Sequence, residues 1–565
     1  MNTTMMKQPT RLALLVASLG LASPAFAQTP APYNAGNALK DAQPAQPQAP
    51  RKAPEPIILQ QEESPLALPA GQTLTVNAFR FEGADFIPEA LLQTRIASFK
   101  GRALSMAEIE SAAGRITALY RERGYLVARA YVPRQDASAG TLTIRVLVGH
   151  YGKISIKNTS RLRDTVISPY FDQLTQDAAV SRTALERAML LVSDLPGASL
   201  PKLSIAPGEV PGTSDFAVEV PTGTRATGYL YGDNYGSRYT GENRLNVGAS
   251  LNSPFRLGDQ LNFSGMASDG NGLLNGRLAY SLPLGSKGLR SEIAYGKTTY
   301  ELGDSYRDLD ATGHADTLET TFSYPLLRTR ARNLSLSLNL ANRQMRDELG
   351  AVDQVTHKRA QVATLGITHD SYGRLLNFDS YASVAANLTY GYLSISDESQ
   401  KALNQSGANT AGHYSKANVS LLGRLALTEK LSTSSSLSLQ KSLNRNLDSS
   451  EQLMISGTRG VMAYEQSVSG DNGYLFNAEL RYTLPSLSGI EQSASLFYDT
   501  GRVHLQNADY TTSNGERLND VGLGYQFSWK KLFVRTQVSQ AIDSWPSSVP
   551  RDDRTRFLLQ AGLVF

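Results

Sequence analysis

The C-terminal segment alternates between apolar and polar residues. Residues 554 to 565 read R-T-R-F-L-L-Q-A-G-L-V-F, an order that places five apolar side chains on one face of an extended strand: Phe557, Leu559, Ala561, Leu563 and the terminal Phe565. The last strand of a bacterial outer-membrane barrel needs this pattern, because one face meets lipid and the other meets the lumen. An amphipathic edge strand of a soluble sheet would look the same. The pattern alone therefore leaves both structures open.

The same alternation recurs from Ala226 onward. Small or polar residues separate Leu245, Val247, Ala249 and Leu251, and they also separate the leucines at positions 334, 336, 338 and 340. This alternation predicts a transmembrane antiparallel β-barrel over residues 223 to 565. Sixteen strands would leave about 21 residues for each strand with its connection, enough for a spanning strand of about 10 residues. Fourteen or eighteen strands would also fit.

Two small α/β modules are predicted ahead of the barrel, over residues 73–149 and 150–222. In the first, Ser105 and Glu108 have capping-box spacing at the start of a helix, and strands follow at 126–132 and 142–148. In the second, the pattern predicts strands near 153–157, 201–205 and 215–220 and helices near 163–173 and 183–192. Modules of about 75 residues are within the size range of domains that fold alone.

The N-terminal region has two parts. Residues 1–27 match a secretory signal peptide, with Lys7 and Arg11, an apolar run at 12–22, and Ala25-Phe26-Ala27 at the end. Residues 28–72 are rich in proline, alanine and glutamine and predict an extended linker. Within this linker the stretch from Asn34 to Gln43 has no proline. Either a short helix or a disordered segment fits that stretch.

The composition of the chain limits where the protein can reside and which chemistry it can carry out. Beyond residue 27 no apolar run reaches the about 18 to 20 residues that a helical span requires. The chain has no cysteine, so an exported form has no disulfide framework. A net charge of +4 over 565 residues does not indicate a nucleic-acid partner. The six histidines are scattered without the spacing of a known catalytic motif, so the sequence indicates no enzyme, no cofactor and no metal site.

Short motifs in both modules and in the first barrel hairpin carry a resemblance to a known family. They are Gly124-Tyr125, 130–135 and 140–144 in the first module, 194–197, 206–208 and 211–214 in the second, and 233–237, 239–241 and 254–260 at the barrel start. In their order and spacing the chain resembles the two-partner-secretion outer-membrane transporters, the TpsB group related to BamA-type barrels. The resemblance implies two periplasmic POTRA modules and a 16-stranded barrel in outer-membrane lipid. It also implies a monomer that passes an unfolded adhesin or haemolysin-like partner protein outward.

Recognition of that partner is expected in the POTRA modules. A sheet edge and the groove beside a helix can bind an extended chain by β-augmentation. In the first module this expectation falls on Tyr131, Val132, Pro133 and Arg134. Two other functions stay open. A membrane-protein insertase of the BamA kind would usually have more POTRA modules than this length allows, and a solute porin or receptor would need none.

The resemblance further implies a strand motif, F-x-D-x-G, whose aspartate holds an arginine of a loop that folds back into the barrel. Phe497, Asp499 and Gly501 match the strand motif in full. Such a pair suits a loop inside a narrow lumen, because an arginine on a carboxylate forms directional, charge-assisted hydrogen bonds. Asp499 is therefore the expected anchor on the wall.

The loop half of the pair has two possible registers. By residue type the match is Arg459 followed by Gly460. Counted back from Gly470, the motif instead falls on Val461, Met462, Ala463 and Tyr464, with Met462 where the family has arginine. Either Arg459 reaches Asp499 from three residues upstream, or the usual arginine is absent.

Overall fold

The computed structural model describes residues 33–43, 73–135, 137, 139–176, 179–210, 212–511, 514–542 and 554–565. The predicted signal peptide and most of the predicted linker lie outside the described residues. Along the described chain, a short helix α1 (Ala35–Asp41) is followed by two α/β modules and then by a barrel. None of the described helices is long and apolar enough to cross a bilayer.

The first module contains two small sheets. A three-stranded sheet has the order β2-β5-β4, and β1 pairs with β3. Its elements are β1 (Thr73–Val76), β2 (Ala78–Glu82), α2 (Glu89–Arg95), β3 (Arg102–Ser105), α3 (Met106–Glu122), β4 (Arg129–Tyr131) and β5 (Thr141–Leu147). The capping box predicted at α3 forms, because the Ser105 hydroxyl accepts the Glu108 N–H and the Glu108 carboxylate accepts the Ser105 N–H. This exchange satisfies two donors at the helix start.

The strand predicted at residues 126–132 is shorter than expected, since β4 has three residues. The side chains of Leu126 and Val127 pack instead against the core of the second module. Gly124, with a φ of +97°, turns the chain toward that core. Alternation along a sequence does not reveal that a neighbouring domain will take the first apolar pair.

The second module has one sheet with the order β6-β8-β7. Its elements are β6 (His150–Asn158), α4 (Asp164–Asp172), α5 (Arg182–Ser193), β7 (Lys202–Pro207) and β8 (Thr213–Val220). The second module sits on one rim of the barrel. The Arg328 guanidinium donates to both carboxylate oxygens of Asp194 at 2.7 Å, and Arg187 donates to the Pro325 carbonyl at 2.7 Å. These contacts hold the second module against the turn after residue 328.

The barrel is a closed antiparallel sheet of 16 strands, as the family resemblance implies. The wall strands are β9 (Ala226–Asp233), β10 (Arg244–Asn252), β11 (Gln260–Ser268), β12 (Leu273–Pro283), β13 (Arg290–Glu301), β14 (Ala311–Arg328), β15 (Arg332–Leu349), β16 (Gln354–Leu375), β17 (Phe378–Ile395), β18 (Gly412–Ala426), β19 (Leu431–Ser442), β22 (Asn472–Leu487), β23 (Ile490–His504), β24 (Glu516–Trp529), β25 (Leu532–Ala541) and β26 (Thr555–Val564). Two short strands, β20 (Leu453–Met454) and β21 (Ser469–Gly470), pair outside the wall, and α6 (Glu398–Ser406) lies in the loop between β17 and β18.

Alternation along the strands separates a lipid face from a lumen face. On β26, Phe557 is 56% exposed on the outer face, whereas Leu558 is fully buried. On β10, Leu245 is 56% exposed and Asn246 is 1% exposed. An apolar outer face against a polar inner face is the arrangement that a bilayer requires of a barrel. The apolar stripe predicted for the last strand therefore faces lipid.

The first and last strands close the barrel at a seam. Five residue pairs join β26 to β9, from Gln560 opposite Asp233 to Val564 opposite Tyr229. The terminal Phe565 extends the seam, since its N–H donates to the Gly228 carbonyl at 2.9 Å and its carbonyl accepts the Gly228 N–H at 2.7 Å. At the other end of the seam the Asn234 side chain bonds the backbone of Phe557 and Leu559. A closed seam leaves no free sheet edge in lipid.

Removing Phe565 should lower the amount of barrel in the outer membrane. The deletion removes two backbone hydrogen bonds, each with a net value of about 1 kcal/mol, at the strand pair that closes the barrel. Export per inserted molecule should stay unchanged, because Phe565 lies at the seam and not in the lumen. The measurement is the heat-modifiable barrel band in outer-membrane fractions, with Phe565→Tyr as the matched control. Unchanged abundance of the deletion variant would contradict this role for the last residue.

Candidate functional site: a helix and a loop inside the barrel

The loop between β19 and β22, residues 443–471, folds back into the barrel and is called the inward loop here. Its apolar residues Ile455, Val461 and Tyr464 are fully buried and share a cluster with wall residues of β22, β23 and β24. Gly501, the glycine of the strand motif, lies under this cluster, because a Cβ there would sit 2.8 Å from the Cβ of Ile455. Only glycine permits that approach of loop to wall.

The strand motif faces the lumen along its whole length. Phe497, Asp499 and Gly501 are buried, and the residues between and beside them on β23 are exposed, except for the half-buried Thr500. Phe497 packs over a second glycine, since a Cβ on Gly522 would lie 2.2 Å from the end of its ring. The Asp499 carboxylate accepts a hydrogen bond from the Asn477 side chain at 2.8 Å. The motif therefore forms one inner surface, against which the inward loop rests.

Backbone groups of the inward loop are held by polar side chains of the wall. The Asn477 amide donates to the Gly460 carbonyl at 3.1 Å. The Ala463 N–H donates to the Asp520 carboxylate at 2.7 Å, and Asp520 also accepts the Ser539 hydroxyl at 2.6 Å. Asp520 is fully buried on β24. Sequence reasoning did not identify Asn477 or Asp520, although the inward position of each on a wall strand was a usable signal.

Met462, the residue on which the spacing-based register places the expected arginine, lies against the wall. Its sulfur accepts a weak contact from the Gln537 amide at 3.4 Å, and its carbonyl accepts from Arg556 at 3.5 Å. Val461, Ala463 and Tyr464 beside it are buried. The structure thus places the residues of the spacing-based register, 461–464, against the barrel wall.

The predicted ion pair between Arg459 and Asp499 is not formed in this structure. The Arg459 guanidinium donates to the Gln43 side chain at 2.8 Å and to the Lys40 carbonyl at 2.5 Å, at the C-terminal end of α1. The last carbonyls of a helix lack intrahelical donors and attract cations, so they compete for an arginine at the loop tip. Among the described residues, Asp499 has no cation within salt-bridge distance.

Helix α1 lies in the lumen, where its alanines pack among inward-facing residues of the barrel strands. Asn34 caps it by accepting the Gly36 N–H at 2.9 Å, and Ala35 and Ala38 are 1% exposed. A seven-residue helix is marginal by itself, so its surroundings must stabilise it. Three of the contacts that do so are Ala35 N–H to Asp347 of β15 at 2.7 Å, Asn37 to Ser467 at 3.0 Å, and Lys40 to the Gln452 carbonyl at 2.5 Å. Two of these three partners belong to the inward loop.

The base of the inward loop carries two carboxylates that are paired with cations of the wall. Lys358 lies 2.9 Å from Asp448, Lys416 lies 2.8 Å from Glu451, and Arg343 also contacts Glu451. Burial by itself would raise the pKa of Asp448, but the charge and hydrogen bond of Lys358, together with the hydrogen bonds of Ser450, outweigh it and lower that pKa to about 2. The two loop carboxylates therefore stay ionised and hold the base of the loop to the barrel.

The residues expected to bind a partner in the first module lie at an edge that is already occupied. Tyr131 ends β4, with Val132 and Pro133 half-buried and Arg134 exposed after it. The Ala130 N–H of β4 donates to the Thr117 hydroxyl of α3 at 2.9 Å. Beyond β4, the Gln135 side chain accepts the Thr143 N–H of β5 at 2.8 Å. An incoming strand would have to displace these side chains.

The fold defines a class, the POTRA-containing transporters of the outer membrane. It comprises a closed 16-stranded barrel with a helix and an inward loop in its lumen, a second module on one rim, and a first module packed against the second. Residues 212–527 match the family described as haemolysin secretion/activation protein ShlB/FhaC/HecB, and residues 74–149 match the ShlB-type POTRA domain. The chain belongs to the ShlB/FhaC/HecB family. It is a two-partner-secretion transporter, and its family transports proteins rather than catalysing reactions.

Individual relatives agree with this assignment. The heme/hemopexin transporter protein HuxB of Haemophilus influenzae (strain 86-028NP) is 25% identical over 475 residues, which cover 83% of each chain. The outer membrane transporter CdiB of Dickeya dadantii (strain 3937) is 24% identical over 497 residues, which cover 85% of this chain and 84% of that one. Among solved structures, CdiB from Escherichia coli has a TM-score of 0.72 at 21% identity and covers 94% of this chain and 95% of its own. At that identity the last similarity shows the fold.

Arg459→Ala and Asp499→Ala should act independently. Loss of Arg459 frees the end of α1, and loss of Asp499 loosens the wall under the inward loop. Since the two side chains have separate partners, their effects on the free energy of lumen closure should add to within about 0.5 kcal/mol. The measurement is the closed fraction of single-channel current in planar bilayers for both single variants and the double variant. A double variant no worse than Asp499→Ala would contradict the separation and restore the predicted pair.

Proposed function

We propose that the chain carries an unfolded secreted partner outward through the barrel lumen, and that α1 is the part that leaves to open the path. The supporting observation is how α1 is held. It is a short helix in contact with the wall and the inward loop through individual hydrogen bonds and small buried side chains. These contacts can break when α1 leaves. The sheet itself stays closed, because its hydrogen-bond ladders run continuously around the barrel.

Insertion of other membrane proteins is the less favoured function. An insertase of the BamA kind has to part the first and last strands to admit a client strand, whereas here the seam is lengthened by Phe565 and Asn234. A simple porin is disfavoured by the occupied lumen. The proposal assigns no catalytic step to the chain. Folding of the partner outside the cell would supply the direction of transport, because a folded partner cannot return through the lumen.

The same proposal covers the domain limits and the cargo. Residues 1–27 serve as signal peptide, 28–72 as the linker that carries α1, 73–149 and 150–222 as the POTRA modules, and 223–565 as the barrel. Of the relatives named above, one is described as a heme/hemopexin transporter protein and the other as an outer membrane transporter. By analogy the partner of this chain is a large exported protein of the adhesin or toxin type.

We infer that the partner first meets the sheet edge at β7 of the second module. The Gly208 N–H donates to the Thr213 carbonyl of β8 at 3.0 Å, and Pro207 before it has no N–H. Because backbone groups of alternate residues in an antiparallel pair point toward and away from the partner strand, those of Leu203 and Ile205 point away from β8. An edge strand with free backbone groups can accept an extended chain of almost any sequence. The β4 edge, which includes the expected Tyr131 to Arg134 region, offers fewer free groups because Thr117 and Gln135 occupy it.

Crosslinking α1 to the wall should stop export. Cysteines in place of Ala35 and Asp347, whose backbone N and carboxylate oxygen lie 2.7 Å apart, would be the first cysteines in the chain. A disulfide or a short bismaleimide between them should abolish partner release into the medium, and reduction of the disulfide should restore it. Each single variant under the same oxidation is the control. Normal export by the crosslinked double variant would rule out departure of α1 as the opening step.

Single cysteines can also locate the receiving edge. A photocrosslinker on exposed Ala206→Cys of β7 should capture the partner during export, and the same reagent on exposed Arg134→Cys after β4 should capture little. Both positions are exposed, so reagent access is matched. Capture at position 134 alone would move recognition to the first module. Deletion of residues 74–221, which should leave an inserted but inactive barrel, provides the baseline for export.

A further inference from the structure

Two buried carboxyl groups face each other beneath the tip of the inward loop. Asp499 of β23 and Asp520 of β24 are direct partners in the sheet register. Asp499 is 1% exposed and Asp520 is fully buried. Two acidic side chains at opposed, inward positions of neighbouring strands are close neighbours, and like charges there would repel. The sequence motif contains only the first of them.

One oxygen of each carboxyl has a donor and the other does not. Asp499 Oδ1 accepts from Asn477, while Asp520 Oδ2 accepts from the Ala463 N–H and the Ser539 hydroxyl. Asp499 Oδ2 and Asp520 Oδ1 are buried without a donor among the described residues. Buried carboxylate oxygens normally have a hydrogen-bond donor, so these two leave one interaction unaccounted for.

The charged groups around the pair are engaged elsewhere. On β22, Glu479 adds a further negative charge and is paired with Arg481 at 3.0 Å. On β26, Arg556 donates to the carbonyls of Gly236 and Met462. In the inward loop, Glu465 is paired with Arg238 at 2.9 Å, and Arg459 is directed to α1.

Arg535 of β25 is a further cation among the described residues, and it interacts with the Glu479 carboxylate. Met462, at the position where the family has arginine, contributes no charge. Two adjacent carboxylates without a cation cannot both stay ionised in a buried site, because the Coulomb repulsion is not screened by water.

We propose that Asp499 and Asp520 share one proton, and that this acid pair replaces the missing arginine as the anchor of the inward loop. The proton on one free oxygen donates to the other, so both carboxyls are satisfied while Asp520 keeps its bond to the Ala463 N–H. Asp520 is thus a positioning residue for the loop. The proposal concerns loop docking alone and holds whether or not α1 departs during export.

The shared proton makes docking depend on pH. When the inward loop leaves, lumen water reaches both carboxyls and both ionise, so the docked state holds one proton more than the undocked state. The docked state is therefore favoured at low pH and loses stability as pH rises. For a difference of one proton, the ratio of docked to undocked loop falls by about tenfold per pH unit at most.

The test reads loop docking without any cargo. Ala463→Cys is the sole cysteine in the chain and is buried only while the inward loop is docked, since Ala463 is 4% exposed. Its maleimide labelling rate is measured in detergent from pH 6 to 9 and divided by the rate of the unfolded protein, which removes the pH dependence of the thiol. The relative rate should rise with pH by up to about tenfold per unit.

Asp499→Asn in the same cysteine variant should abolish that rise and keep the loop docked, because an amide N–H donates to Asp520 without a proton. Asp520→Asn provides the same test from the other side, should one variant fail to fold. Met462→Arg should also flatten the profile by supplying a cation. Asp233→Asn is the matched control, because the Asp233 carboxylate is buried on a barrel strand but paired with Arg244 at 2.8 Å. A relative rate independent of pH in the parent, or an unchanged rise in both asparagine variants, would overturn the shared proton.

Discussion

In the hydrocarbon of a bilayer every backbone N–H and C=O must find a partner within the protein, and a sheet can meet that condition only by closing on itself. The other features of this chain depend on that closure. It places the apolar side chains of alternate residues in lipid and forces the remaining half of each strand to face the lumen. A barrel of 16 strands encloses a space too wide for its own side chains to fill. In this structure α1 and the inward loop lie in that space.

The occupants are held in a different way from the wall. Wall strands share continuous ladders of up to 18 residue pairs, as between β15 and β16. The inward loop and α1 instead make individual hydrogen bonds and ion pairs to polar residues of the lumen face. Each such contact has a net value of about 1 kcal/mol, so a set of them can break and form again while the sheet remains intact. This difference in strength allows a lumen to be closed at rest and still open.

Sequence patterns predicted the parts of this structure that local periodicity determines. The alternation of apolar and polar residues with a period of two identified the barrel region, and capping-box spacing at Ser105 identified the start of α3. The same reasoning could not decide whether residues 34–43 are helical, because the partners that stabilise α1, such as Asp347 and Ser467, lie more than 300 residues away along the chain. It also left open whether Arg459 reaches Asp499. Position in a loop sequence does not determine direction in space, and the carbonyls at the end of α1 attract this arginine instead of Asp499.

In the spacing-based register Met462 stands where an arginine is expected, and the loop around it is still held to the wall. An arginine there would bring one positive charge to two carboxylates and leave a net negative site. Without it the backbone contacts of Gly460 and Ala463 still fix the loop tip to Asn477 and Asp520. What changes is the charge that the site must balance. In our proposal a shared proton balances this charge. Because a proton exchanges with the surrounding water, the strength of such an anchor would depend on pH as well as on the sequence.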